Sequence, residues 1–284
     1  MPQEIYSHDT IYIPPREEHG APLEVALGCS WAECTFCDFA RDDFCIHSDE
    51  RIARNIEGLA RLFPEADRVF LLGGNAFALS CDRLAHILRQ VRAKMPGVRT
   101  FATYARADDV LSKSAEELDV LVSLGLQALH IGVESGSDSI LAERKKGLTA
   151  QQMLEAFRML DIAGIEYHIT VILGLGGREY SRLHAIETAR LLNRIRPASI
   201  WCLKLVLFEG TPLWRDWKAG QFEAMTPAEV LGELRLLLSN LTVRDCWFED
   251  TTVLDQYTLQ GRLPEQKNTL LEAIDRLLAG CADS

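Results

Sequence analysis

No stretch of eighteen consecutive apolar residues occurs in this chain of 284 residues, so a membrane-spanning helix is not expected. The opening Met1-Pro2-Gln3-Glu4 lacks the charged-then-apolar order of a secretory signal, and a cytoplasmic location is the expectation. Long blocks of one charge are absent as well. Thirty Lys and Arg stand against forty-one Asp and Glu, a net charge of −11. Clustered cations are what phosphate neutralisation requires, so a nucleic-acid partner is not expected. Nor is any linker long or polar enough to separate one domain from another. What remains, 48% hydrophobic and 25% charged residues, is the composition of a globular protein with a buried core. The length suits one (β/α) barrel, typically of roughly 250 residues, with a short extension.

Periodicity supports that architecture. Apolar or β-branched runs at Leu23–Gly28, Arg68–Gly74, Arg99–Tyr104, Ala128–Ser135, Tyr167–Leu175 and Ser199–Leu207 read as strands. Helix-period segments follow at Glu50–Phe63, Arg83–Met95, Ala115–Leu124, Ala150–Ala163, His184–Ile195 and Pro227–Leu241. Ser48, Ser80, Ser114 with Glu117, Thr149 and Thr226 stand where N-caps belong. The fold expected is α/β, a partial (β/α)6 TIM-type barrel with a short C-terminal extension. Residues 1–22 form a proline-punctuated lead-in, 23–215 the core, and 216–284 a helical extension packing on it. Within that extension a strand at Arg244–Phe248 and a last helix near Glu265–Leu278 are read, separated by an irregular stretch.

The chemistry concentrates after the first strand, in Gly28-Cys29-Ser30-Trp31-Ala32-Glu33-Cys34-Thr35-Phe36-Cys37. Three thiolates so close together, on a loop that lets sulfurs converge, can bind three irons of a [4Fe–4S] cluster and leave the fourth open. A zinc knuckle is the other reading, since Cys34-x2-Cys37 is a zinc spacing and Cys45 or His47 can complete it. Later strand ends carry Leu72-Gly73-Gly74-Asn75, Thr103-Tyr104, Gly132-Val133-Glu134-Ser135 and Ile172-Leu173-Gly174-Leu175-Gly176-Gly177. A Gly-Gly turn admits close approach of a ligand to backbone, and a strand-end carbonyl or amide accepts hydrogen bonds from an ammonium group. In a barrel all these strand ends share the C-terminal mouth.

The cysteine loop resembles that of the radical S-adenosylmethionine (SAM) superfamily, whose usual pattern is C-x3-C-x2-C with an aromatic before the last cysteine. Phe36 holds that aromatic place, and the spacing here is C-x4-C-x2-C, one residue longer. Phe208-Glu209-Gly210-Thr211-Pro212-Leu213 resembles the Pro-Gly-Thr-Pro-Leu turn of the coproporphyrinogen-oxidase-like and Elongator-catalytic-subunit-like branch, with Glu209 in place of the first proline. The resemblance covers about residues 23–215.

The resemblance implies Cys29, Cys34 and Cys37 as ligands of a [4Fe–4S] cluster and S-adenosylmethionine as the second cofactor. It further implies that Phe36, Gly73, Gly74, Asn75, Thr103, Tyr104, Glu134, Ser135, Ile172, Leu173 and Gly174 surround the cofactor. On this reading Asn75 replaces the acid that holds the methionine amino group, and Glu134 and Ser135 meet the ribose or methionyl part. The strand at Ile172-Leu173-Gly174 pairs with the adenine edge. An enzyme that forms a carbon radical on a small molecule or biosynthetic intermediate is implied, with a flavodoxin- or ferredoxin-type reductant. A methyl- or sulfur-transferase acting on a tetrapyrrole or tRNA, and a non-catalytic zinc or iron–sulfur barrel, are the alternatives. His168 and His184 read as structural or surface residues, with substrate or acid–base roles as the alternative; Arg144-Lys145-Lys146 reads as a solvated face, with contact to an anionic substrate as the alternative; Trp214 and Trp217 read as packing residues and Cys202 as a buried thiol.

Overall fold

A computed structural model describes residues 5–38, 42–251 and 257–282. Its elements are β1 (Ala21–Glu24), β2 (Ala26–Leu27), β3 (Cys45–Ile46), α1 (Asp49–Leu62), β4 (Arg68–Leu72), α2 (Cys81–Lys94), β5 (Thr100–Ala105), α3 (Ala107–Leu111) and α4 (Ala115–Ser123). There follow β6 (Leu126–Glu134), α5 (Asp138–Glu143), α6 (Ala150–Ala163), β7 (Glu166–Leu173), α7 (Gly177–Leu192), β8 (Ser199–Lys204) and α8 (Pro212–Lys218). The chain closes with α9 (Pro227–Asn240), β9 (Cys246–Asp250), β10 (Leu259–Leu263) and α10 (Lys267–Ala282). Eight strands belong to one sheet in the order β1-β4-β5-β6-β7-β8-β9-β10, while β2 and β3 make a two-stranded ribbon. The fold is therefore α/β with a mostly parallel sheet, consistent with the expected partial TIM-type barrel.

Each of the six expected strands is present, and the caps act as the sequence suggests. The Ser48, Ser80, Ser114 and Thr226 side chains accept from the backbone three residues on, and Glu117 and Glu229 close two of the boxes. Thr149 and Gln152 form a reciprocal pair of the same kind at the start of α6. Two expectations change. The extension is not only helical: β9 runs parallel to β8, and the stretch read as irregular contains β10, antiparallel to β9. Helix α7 starts at Gly177, well before the expected His184, because its first turns carry polar Arg178, Glu179, Ser181 and Arg182 and so show no apolar stripe.

By contacts the chain divides into two compact units, neither continuous in sequence, and no linker therefore marks the division. The first comprises residues 1–32, 39–131 and 159–166, the second residues 33–38, 132–158 and 167–284. In the first unit β1, β4, β5 and β6 pair in parallel, Leu23 opposite Leu71 and Phe70 opposite Ala102. One face of these strands carries Phe70, Leu72, Ala102 and Ala128, packed by Tyr6, Ile11, Ile13 and Tyr104. Their other face, with Val69, Leu71, Phe101 and Leu129, is buried too. Burial on both faces is why these strands read as mostly apolar runs. Buried Glu17 braces this unit, accepting from Arg68 at 2.6 Å and meeting His130 Nε2 at 2.9 Å. In the second unit β7, β8 and β9 pair in parallel, Thr170 opposite Trp201 and Cys202 opposite Asp250.

Candidate functional site

In the first unit the cysteine loop leaves Gly28, whose φ of 64° is a left-handed conformation that suits glycine. The Gly28 carbonyl accepts the Gly74 N–H at 2.8 Å, tying the loop to the turn after β4. A Cβ on Gly74 would stand 2.4 Å from that oxygen, so the Gly-Gly turn serves a close backbone approach within the protein. Asn75 continues the tie: Oδ1 accepts the Ser30 N–H at 2.9 Å, and Nδ2 donates to Ser30 Oγ at 2.8 Å and Asp109 Oδ2 at 2.9 Å. Asp109 also accepts the Arg106 N–H at 2.8 Å. Burial pushes the Asp109 carboxyl above the usual range, against the hydrogen bonds from Arg106 and Asn75. The Arg106 guanidinium lies 4.9 Å over the Trp31 ring. Ala32 then turns through φ 51°, a left-handed bend in the arc that holds the additional residue.

In the second unit the loop is gripped at Thr35, whose N–H donates to Arg144 O at 3.0 Å and whose carbonyl accepts the Leu213 N–H at 2.9 Å. Phe36 is buried with Ile140, Leu175, Leu213 and Phe222, and Cys34, Cys37 and Ile172 pack against this cluster. The Thr35 hydroxyl, between two cysteines of the loop, is buried and has no hydrogen-bond partner among the described residues. Glu134 sits at φ 63°, and its carboxylate accepts from Lys146 Nζ at 2.9 Å and from Thr170 Oγ1 at 3.2 Å. The Ser135 hydroxyl meets His184 Nδ1 at 2.8 Å and accepts the Ser137 N–H at 3.1 Å. The Gly174 N–H donates to Glu233 Oε1 at 2.7 Å.

Several expected site residues are thereby given other work. The Asn75 amide is wholly engaged by protein. Thr103 Oγ1 donates to Leu71 O at 3.0 Å, and Tyr104 packs edge-on to Phe70 with centroids 4.9 Å apart. Of the pair Ile172 and Leu173, Ile172 joins the Phe36 cluster while Leu173 is core. Arg144 and Lys146 do not form a solvated face: they are 3% and 6% exposed, Arg144 lying 5.0 Å from the Phe222 ring centroid. Their alternation with exposed Lys145 hides this from a reading of charge alone. His47, the alternative zinc ligand, is committed to Glu24 Oε1 at 2.8 Å. Thr211 caps α8 with Pro212 as its first residue, so the Thr-Pro turn is a helix start. Trp217 is 39% exposed, with Lys218 Nζ 4.7 Å from its ring centroid.

None of Cys29, Cys34, Cys37, Cys45, Cys81, Cys202 and Cys246 is in a disulfide, and Cys202 is buried as expected. The Cys281 side chain lies outside the described residues. Among the described residues no three His, Cys, Asp or Glu side chains are gathered closely enough to hold a metal ion as they stand. The fit to an iron–sulfur cluster rests on the donor set: three thiols on one short loop, with a partnerless buried hydroxyl at Thr35 able to donate to sulfur.

A mostly parallel α/β sheet with a thiol loop after its first strand and glycine turns after later ones defines an enzyme of the cofactor-dependent partial-barrel kind. The Radical SAM superfamily description matches residues 23–192, and the chain belongs to that superfamily, whose cofactors are a [4Fe–4S] cluster and S-adenosylmethionine. It is 26% identical over 207 residues to anaerobilin synthase of Escherichia coli O157:H7, covering 69% of this chain and 45% of that protein. It is 25% identical over 173 residues to the heme chaperone HemW of Bacillus subtilis, covering 56% of this chain and 44% of that protein. The chain thus spans less than half the length of these relatives. Among solved structures, the Elp3 of Methanocaldococcus infernus with an N-terminal deletion shares the fold at TM-score 0.57 and 14% identity, covering 93% of this chain and 64% of that one. No helix among the described residues is long and apolar enough to cross a membrane.

Proposed function

We propose that this chain reductively cleaves S-adenosylmethionine at a [4Fe–4S] cluster held by Cys29, Cys34 and Cys37, and acts on a small-molecule or biosynthetic substrate. The observation that carries the reading is the thiol loop itself, placed where the superfamily match begins and held by hydrogen bonds at Gly28, Ser30 and Thr35. Cys29, Cys34 and Cys37 would hold the cluster, which would supply the single electron for reductive cleavage of S-adenosylmethionine to methionine and a 5′-deoxyadenosyl radical.

The chain's own residues hold and orient. Gly74 and Asn75 hold the first arc of the loop, and Phe36 anchors the second in an apolar cluster against which Cys34 and Cys37 pack. Glu134, charge-paired with Lys146, presents a fixed acceptor at the end of β6 for ribose hydroxyls or an ammonium group. The glycine backbone after β7 offers main-chain groups to the adenine edge beside Ile172. The core runs over residues 23–215 with 216–284 packed on it, in the cytoplasm, and a flavodoxin- or ferredoxin-type protein supplies electrons. The net charge of −11 argues against a tRNA substrate.

Anaerobic reconstitution, with iron, zinc, 5′-deoxyadenosine and methionine quantified together, tests the proposal. About four irons per chain and reductant-dependent 5′-deoxyadenosine are expected. Cys34→Ala should lose both while keeping the far-ultraviolet circular dichroism of the wild type. Zinc in place of iron, or a loaded cluster that leaves S-adenosylmethionine intact, overturns it.

A further inference from the structure

Two buried groups in the second unit have no place in the chemistry described so far. His184 on α7 is 0% exposed and Glu233 on α9 is 2% exposed. Among the described residues neither His184 Nε2 nor Glu233 Oε2 has a partner within hydrogen-bond distance, and Nε2 stands 3.8 Å from Glu233 Oε1. Burying such atoms unpaired is unfavourable, and packed interiors rarely retain them without a reason. The other ends of both side chains explain the arrangement. His184 Nδ1 meets Ser135 Oγ, whose oxygen also takes the Ser137 N–H. Thr188, one turn along α7, accepts the Gly136 N–H at 2.9 Å. Glu233 Oε1 takes the Gly174 N–H. One side chain thus grips the turn after β6 and the other the turn after β7, and the two face each other between these grips.

We propose that His184 and Glu233 are positioning residues that lock the turns after β6 and β7 to each other and thereby set the seat for S-adenosylmethionine. This rests on the reading that both turns face that cofactor. The lock closes when the Glu233 carboxyl carries a proton and the 3.8 Å gap shortens to hydrogen-bond distance: the carboxyl then donates to His184 Nε2, and the imidazole donates through Nδ1 to Ser135 Oγ. Burial holds the Glu233 carboxyl up at about 7, against hydrogen bonds from Ser181 and Gly174, and holds His184 down at about 4, against a hydrogen bond to the Ile172 carbonyl, so the imidazole is neutral. The groups facing the carboxyl are His184 and Ser181 from α7, the Gly174 N–H, and the Cys202 thiol of β8, itself beside Asp250 and Lys204. Arg235 of α9 pairs instead with Asp275 of α10 at the exposed surface.

The test is equilibrium binding of S-adenosylmethionine to the cluster-loaded, full-length protein between pH 6 and 8. Wild-type affinity should fall as pH rises through about 7. Glu233→Gln keeps an acceptor for the Gly174 N–H and an N–H donor toward His184, so it should bind tightly with a flat profile. Glu233→Leu and Ser135→Ala should bind about tenfold more weakly at pH 6 with iron content unchanged; Ser135→Ala, which removes a single oxygen, covers the case in which Glu233→Leu does not fold. Wild-type affinity in Ser135→Ala, or a pH profile in Glu233→Gln that follows the wild type, overturns the lock. A loaded wild-type protein that binds no S-adenosylmethionine overturns the proposed function and the lock with it.

Discussion

At the scale of single residues, the same buried pair makes a separate statement about stability. The Glu233 carboxyl titrates higher in the folded chain than its ordinary 4.5, so the stability it contributes is present below about 4.5 and is lost as pH rises through about 7. His184 runs the opposite way: its contribution is present above the ordinary 6.5 and is lost as pH falls through about 4. In the wild type the two slopes largely offset between pH 4.5 and 6.5. Glu233→Gln removes one slope, so its stability relative to the wild type should climb by about 3 kcal/mol as pH rises from 4.5 to 7, at 1.36 kcal/mol per unit. His184→Gln should drift oppositely, gaining on the wild type as pH falls from 6.5 to 4. Urea melts of the three proteins across this range check it, and parallel curves would show that neither group titrates as its burial demands. Nothing local in the sequence announces this pair, or Asn75 with Asp109, or Glu134 with Lys146. Each joins positions separated in the chain, whereas Cys29, Cys34 and Cys37 are legible because they stand within one short stretch of sequence.

At the scale of elements, the turn after β4 is where backbone and loop meet most closely. Gly74→Ala would set a methyl 2.4 Å from the Gly28 carbonyl, and the backbone hydrogen bond between them must stretch or break. The expected outcome is a loss of about 1–3 kcal/mol of stability together with lowered iron retention after reconstitution. Gly97→Ala, where the added carbon meets Ala66 O at an ordinary 3.5 Å, is the matched control and should retain iron fully. Equal retention in both would detach the turn from the loop. Strand β4 is readable because burial on both faces leaves an apolar run, and α1 and α9 because a capping residue precedes an apolar stripe. Short α3, α5 and α8 lie below the length at which period is detectable. Strand β10, Leu259-Gln260-Gly261-Arg262-Leu263, alternates as an antiparallel strand with one wet face does, but a glycine at its centre and a proline just after it read as loop.

At the scale of the whole molecule, the question is whether the cysteine loop holds the fold or the fold holds the loop. Small metal-dependent domains have too little core to fold before the metal arrives, and chelation unfolds them. Here each unit has its own apolar core, Phe70, Leu72, Ala102 and Ala128 in the first, and Phe36, Ile140, Leu175, Leu213 and Phe222 in the second. The grips on the loop, from Asn75 to Ser30 and from Arg144 to Thr35, are hydrogen bonds between protein groups and need no metal to form. A chain of 284 residues also buries a far larger share of its surface than a domain dependent on metal. Stripping iron with a chelator should therefore leave far-ultraviolet circular dichroism and a cooperative melt intact, lowering the midpoint by only the few degrees that loss of a bound group implies. Amide exchange should rise chiefly at Cys29–Cys37. Collapse of the melt on chelation would mean that the cluster is integral to the core, and that the protein–protein grips on the loop form only after it is loaded.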